Sequence, residues 1–325
     1  MKYVLRRLGF YLIAAWVSLT LNFFLPRAMP GDPATAIFAR FQGRMRPEEI
    51  QALREAYGLS DGPLIEQYFT YMSHAMRGDF GISISQFPVP VTQVIGTGLV
   101  WTLLLGSVAL LISFLLGNLL GVVAAWRRGG KLDSILPPVL TFVGSFPYFW
   151  LAMVALFFLA FRLGWFPLRH AYSDRLAPTF SWEFIKSVLH HLVLPAGTIV
   201  LVSIGGWMLG MRNNMIAILS EDYVNMAEAK GLSQNRVMFN YAARNALLPS
   251  ITALGMSIGF ILSGQILTEV VFSYPGLGYM FFKAVGNLDY PLLQGLFLML
   301  TFAVLGANLI IDLLYVRLDP RVRAH

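Results

Sequence analysis

An all-α integral membrane protein with six transmembrane helices is the fold class this sequence predicts, and three observations carry it. Charged residues make up only 13% of the 325, about half the share found in soluble domains. Apolar residues make up 57%, or about 62% when Gly is counted in place of Tyr, against about 45 to 50% in soluble domains. Six apolar stretches approach or exceed the roughly 20 helical residues that cross a hydrocarbon core. So few charges cannot clothe a soluble globule of this size. The same composition excludes disordered, collagen-like and coiled-coil chains.

The predicted spans are residues 9–25, 99–126, 135–161, 192–211, 250–272 and 292–316, charged only at Glu269 and Asp312 near the ends of the last two. The first follows Lys2, Arg6 and Arg7, as a signal peptide would, but Leu25-Pro26-Arg27 lacks the small-residue cleavage pattern. It therefore reads as a retained helix. A net charge of +7 in a soluble protein would point to nucleic acid, but here the basic residues flank apolar runs. They suit membrane orientation, with lipid and not nucleic acid as the partner. The chain has no cysteine, which excludes a disulfide framework, a thiolate nucleophile and a Cys-ligated metal.

Short-loop basic residues set the orientation. One side carries Lys2, Arg6, Arg7, Arg127, Arg128, Lys131, Arg212, Lys230, Arg236, Arg244, Arg317, Arg321 and Arg323; the other carries Arg162, Arg169, Arg175, Lys186 and Lys283. Thirteen against five predicts both termini in the cytoplasm.

The outer segment 26–98 is too long to be a structureless connection. Pro47-Glu48-Glu49 opens a helix with Ile50, Leu53 and Tyr57 on one face and Gly58 as its stop. A second helix is predicted from Leu64 to Met76, with Ile65, Tyr68 and Met72 in register. Gly78-Asp79-Phe80-Gly81 and Phe87-Pro88-Val89-Pro90 read as turns. Together these form a small helical cap able to present a surface to a partner. The chain then divides into 1–25, the cap 26–98, a five-helix core 99–316 containing the loop 212–248, and the tail 317–325.

In that loop Ser220 can cap a helix beginning Glu221-Asp222, with Lys230 in its last turn and Gly231 as the stop. Ser233 can cap a second helix through Ala246, and Pro249 marks the start of the fifth span.

Ala227-Glu228-Ala229-Lys230-Gly231, followed by Leu247-Leu248-Pro249, resembles the EAA loop of ABC importer permeases, whose short coupling helix docks into a groove on the ATPase subunit. Further matches are to the peptide and nickel branch: Pro30-Gly31-Asp32-Pro33, Arg77-Gly78-Asp79-Phe80-Gly81, Ala243-Arg244-Asn245-Ala246, Glu269-Val270-Val271-Phe272 through Gly278, and Leu318-Asp319-Pro320-Arg321. They run in order along nearly the whole chain. The loop departs from the family by reading Ala-Glu-Ala.

The resemblance implies the type I importer permease fold, a pore shared with a sister permease, two ABC ATPase subunits that hold the ATP and Mg, and an extracytoplasmic solute-binding protein. No cofactor is expected on this chain, which is a non-catalytic subunit working by alternating access in a bacterial inner membrane. It implies a coupling role for Glu221, Asp222, Tyr223, Ala227, Glu228, Ala229, Lys230, Gly231, Leu232 and Pro249. Small Ala227 and Ala229 would allow close approach to the ATPase. Phe146, Tyr148, Trp207, Gln265 and Glu269 are candidates for the translocation path. Di- or oligopeptides, oligosaccharides and nickel are the implied solutes.

Other readings are weaker. Gly130-Lys131 lacks the upstream glycine of a phosphate-binding loop, so the energy must come from a partner. Gly255-Met256-Ser257-Ile258-Gly259 fits a serine nucleophile elbow only after a strand, and it lies in an apolar helix. Gly255 and Gly259, Gly117 and Gly121, and Gly206 and Gly210 have close-packing spacing. His170, His190 and His191 could bind nickel, but read as interfacial, so no metal site is expected. A secondary transporter would need ion sites near the midplane, where these spans hold no charge. Asn308 and Asp312, one turn apart, suit a structural clasp or exposure to water.

Overall fold

The computed structural model describes residues 2–28, 62–261 and 265–318. The expected helix at 47–58 and the motifs at 30–33 and 319–321 lie outside them. The described residues are helical apart from loops and one isolated bridge between Ile82 and Pro90. The helices are α1 (Lys2–Ala28), α2 (Leu64–Met76), α3 (Val91–Trp126), α4 (Lys131–Gly144), α5 (Tyr148–Ala155), α6 (Trp182–Leu219), α7 (Asp222–Ala229), α8 (Arg244–Ile261), α9 (Ile266–Val271), α10 (Leu277–Gly286) and α11 (Tyr290–Leu318). Segments of π-helix, Leu156–Arg162 after α5 and Val237–Ala243 before α8, extend their neighbours.

Among the described residues four helices are long and apolar enough to cross a membrane: α1, α3, α6 and α11. The third predicted span is not straight. The chain bends by 92° between α4 and the α5 segment at Ser145-Phe146-Pro147, so 135–161 is a broken span or a re-entrant loop. Pro147 causes the break, since it cannot donate the helical hydrogen bond and biases Phe146 out of the helical region. The fifth predicted span contains α8 and α9, and 262–264 between them lie outside the described residues. Five crossings are the most that length and apolarity support among the described residues. The start of α3 at Val91 also places the last turns of the expected cap inside that helix.

The chain forms two compact units. In the first, α1, α2, α10, α11 and the start of α3 pack together. Asn22, buried on α1, donates to the Tyr71 Oη at 2.9 Å and to the Gln294 carbonyl at 2.9 Å, so one amide ties α1 to both α2 and α11. Val91, Val94, Ile95, Leu277, Leu292 and Leu296 form an apolar core. Asp289 caps α11, accepting from the Leu292 N–H at 3.2 Å. Fully buried, its other oxygen accepts from Ser83 Oγ at 2.5 Å, Ser85 Oγ at 2.6 Å and the Ser85 N–H at 2.8 Å, which holds the loop before α3 against the start of the last helix. The turns at 78–81 occur as expected: Gly78 and Gly81 have φ of +71° and +74°, and Asp79 accepts from the Gly81 N–H at 3.0 Å.

In the second unit α6 is the central helix. A Cβ at Gly117 of α3 would lie 2.5 Å from the Cβ of Trp207, and one at Gly121 would lie 2.6 Å from the Met208 carbonyl. The predicted close packing of this glycine pair is therefore present, whereas Gly206, Gly210 and Gly255 have open space around them. The glycine that admits α4 is Gly205, where a Cβ would stand 2.9 Å from the Leu140 carbonyl.

Candidate coupling site

The loop after α6 forms a short helix standing on the chain's own core. Ser220 does not cap it: its hydroxyl turns back to the Ala217 carbonyl at 2.8 Å, and Glu221 takes the N-cap place without a side-chain bond. The stop is built as expected. Gly231 has φ +73°, its N–H donates to the Glu228 carbonyl at 2.8 Å, and the Leu232 N–H donates to the Ala227 carbonyl at 3.3 Å. This is the Schellman pattern, which satisfies helix-end carbonyls and needs a left-handed residue.

Val224 and Ala227 face inward and are buried. They join a cluster with Val122 and Ala125 of α3, Met211 and Met215 of α6, and Val237, Met238, Ala242, Ala243 and Ala246 along the approach to and start of α8. Leu232 packs on its edge. Ala227 therefore lets α7 lie close on its own chain, which corrects the expectation that it meets an ATPase groove. The outward face carries Asp222, Asn225, Met226, Glu228, Ala229 and Lys230, all exposed. Tyr223, 38% exposed, accepts from Asn245 Nδ2 at 3.0 Å, fastening α7 to α8. The second loop helix does not end at Ala246, and Pro249 does not begin a separate one. Ser233 stands at its N-cap without a side-chain bond, and the helix runs continuously from Gln234 through an exposed Pro249 to Ile261.

Just before this loop Arg212 donates to Asp133, joining the end of α6 to the start of α4. In the sequence this pair is signalled only by an acid, Asp133, in the first turn of α4.

The path candidates are not gathered by any described contact. Phe146 lies at the bend and stacks on Trp150 with centroids 5.2 Å apart, and Tyr148 opens α5. Trp207 packs edge-on against Phe114 at 5.3 Å, locked between α3 and α6. Glu269 is fully buried on α9, and half-buried Gln265 precedes that helix. Ser257 spends its hydroxyl on the Ala253 carbonyl at 2.9 Å inside α8, in contrast to a strand-borne elbow. His170 pairs with Asp174 at 2.7 Å, while His190 and His191 meet backbone carbonyls. Among the described residues no group of three metal-ligating side chains occurs. Asn308 is exposed, and the side chain of Asp312 lies outside the described ones.

Two family models cover the chain. Residues 1–114 match the N-terminal part of binding-protein-dependent transport system membrane components, and residues 117–324 match the inner membrane component of these systems. The chain belongs to this family. The permease is 35% identical to an oligopeptide transport system permease of Bacillus subtilis over 93% of both chains. It is 33% identical to a dipeptide transport system permease of Lactococcus lactis and 34% identical to one of Escherichia coli, over 99% of both chains in each case. It is thus a multi-pass, helical, non-catalytic subunit of an ABC importer, a class that works with ATPase and solute-binding partners. The longer matched region contains the whole of the α7 loop.

Proposed function

We propose that this permease forms half of the translocation pore of a peptide importer and that α7 is its coupling helix. The observation that carries the reading is the two-sidedness of α7: one face is rooted in a cluster drawn from α3, α6 and the α8 segment, and the other is exposed and mostly polar, with Met226 and Ala229 among its charges. A closely packed interior transmits displacement instead of absorbing it. Closure of two ATP- and Mg-loaded ATPases against the outer face would move α3, α6 and the α8 segment together. The spans would rock outward-open to receive solute from the binding protein, and return after hydrolysis.

The 13 to 5 basic bias supports cytoplasmic termini and a cytoplasmic α7. A sister permease supplies the other half of the pore. The relatives named above support di- or oligopeptides as the solute. Uptake of labelled di- and oligopeptides by the reconstituted transporter tests this directly. ATP-dependent uptake competed by peptide and not by oligosaccharide or nickel is the expected result. Uptake that survives ATP removal under an ion gradient would replace the importer with a secondary transporter.

A further inference from the structure

The cap helix α2 has three faces. Tyr68 and Tyr71 turn toward α1, where Tyr68 Oη lies 2.8 Å from Thr20 Oγ1 and its ring meets Phe23 edge-on at 5.3 Å. Gln67 accepts from Arg27 at 3.1 Å. About a third of a turn round the helix, by its 3.6-residue period, Ile65, Phe69 and Met76 form a second face, exposed by 65, 65 and 76%. Glu66, Thr70 and Ser73 make the third, polar face. The face turned to α1 is therefore not the one the spacing predicted, since Ile65 points away from it.

The height of α2 says what covers the apolar face. Its contacts fall on Thr20 to Arg27 of α1, while the apolar window of α1 runs from Arg7 to Phe24. The helix thus lies level with the place where the hydrocarbon core gives way to headgroups. At that level α1 itself exposes Leu21 and Phe24, by 57 and 51%. Tyrosines are enriched in this zone, and Tyr68 and Tyr71 occupy it with their hydroxyls bonded to Thr20 and Asn22 of α1. A helix with an apolar flank, a polar flank and its axis at that height has the chemistry of an interfacial helix.

We infer that α2 lies on the outer leaflet of the bilayer, with Ile65, Phe69 and Met76 in the boundary between headgroups and acyl chains and with Glu66, Thr70 and Ser73 in water. The occupant of the apolar face is lipid, and the polar flank is the part of the helix left for a soluble partner.

The absence of native cysteine permits a clean test. Spin labels on Ile65→Cys, Phe69→Cys, Thr70→Cys and Ser73→Cys are read in the full transporter, with its sister permease and ATPases, in phosphatidylethanolamine/phosphatidylglycerol liposomes. Relaxation by oxygen, which concentrates in lipid, is compared with relaxation by a water-soluble nickel chelate. The expected result is a change of sign in the log ratio of the two accessibilities: oxygen dominates at 65 and 69, at a depth of about 5–10 Å, and the chelate dominates at 70 and 73. Adding solute-loaded binding protein leaves the signals at 65 and 69 unchanged. Chelate access at 65 and 69 that disappears on adding the binding protein would make this face a docking site for that protein and overturn the inference. Exclusion of both reagents would assign the face to another subunit, and chelate access that persists throughout would leave it in water; either also overturns it.

Discussion

Arg212 donates its Nε–H to Asp133 Oδ1 at 2.5 Å, and the other oxygen of the same carboxylate accepts from the Gly129 N–H at 2.9 Å. The carboxylate side chain is only 7% exposed and the arginine 22%. This pair ties the turn before α4 to α6 about two turns ahead of the α7 loop. Hydrogen bonds to charged groups contribute about 1.5–3 kcal/mol. Asp133→Ala is expected to lower the unfolding temperature of the purified transporter by a corresponding amount. Arg212→Lys should recover only part of it, because an ammonium lacks the rigid fork. An Asp133→Ala protein as stable as its parent would show the pair to be idle.

Gly231 has open space where a Cβ would go, so only its backbone conformation resists substitution. At φ +73° that resistance is about 1 kcal/mol for Ala and less for Asn. Gly231→Ala is expected to loosen the stop of α7, lowering peptide uptake and co-purification of the ATPases. Gly231→Asn should stay closer to the parent. Equal uptake in all three proteins would separate the stop from coupling.

The two alanines of the loop motif should behave oppositely. Ala227→Leu crowds the chain's own core, where overpacking costs about 1–3 kcal/mol, and is expected to lower thermal stability even without ATPases. Ala229→Trp adds bulk on the exposed face and should leave that stability intact while weakening ATPase capture. Glu228→Ala should be milder still, because rim charges carry little binding energy. Reversal of the first two outcomes would turn the helix over.

Asp79 is hydrogen-bonded by His74 at 3.0 Å and by the Gly81 N–H, which together hold its carboxyl below the usual carboxylate range. The folded form thus binds the proton less readily than the unfolded one. The resulting stabilisation is complete above the ordinary carboxylate pKa and is lost as pH falls through the lower folded value. Limited proteolysis near residues 77–81 should accelerate in that acidic window, and Asp79→Asn should remove this pH dependence. A pH profile that persists in Asp79→Asn would assign it to another group.

Topology is open to direct labelling. A cysteine at Ser173 is expected to react with an impermeant maleimide in intact cells, and one at Ser233 is not. Comparable labelling at both would overturn the cytoplasmic position of α7.

How legible the molecule was in its sequence depended on how local the cause was. The bounds of α2 and the stop at Gly231 were readable because Pro63, the periodicity and a lone glycine act within one turn. The face of α2 was not, because its apolar arc spans both the tyrosines and Ile65, and only contact with α1 separates them. The inward turn of Ala227 was hidden for a similar reason: Ala227 and Ala229 are alike in size, and burial is decided by a cluster that includes Val122 and Ala125, far back along the chain. The bend before α5 carried its signal, Pro147, inside a run apolar enough to mask it. The fastening at Asp289 carried no local signal, because Ser83 and Ser85 reach it from about two hundred residues away.

That last distance has a consequence for biosynthesis. Ser83 and Asp289 are separated by 206 residues, nearly the whole remaining length of synthesis. At roughly 5–20 residues per second, the outer loop spends about 10–40 s translated but unfastened, waiting for its acceptor to emerge. A nascent chain stalled before Asp289 would carry that loop open to proteases on its own side of the membrane. The closing carboxylate thereby makes this fastening a late event, open only to a polypeptide translated past Asp289.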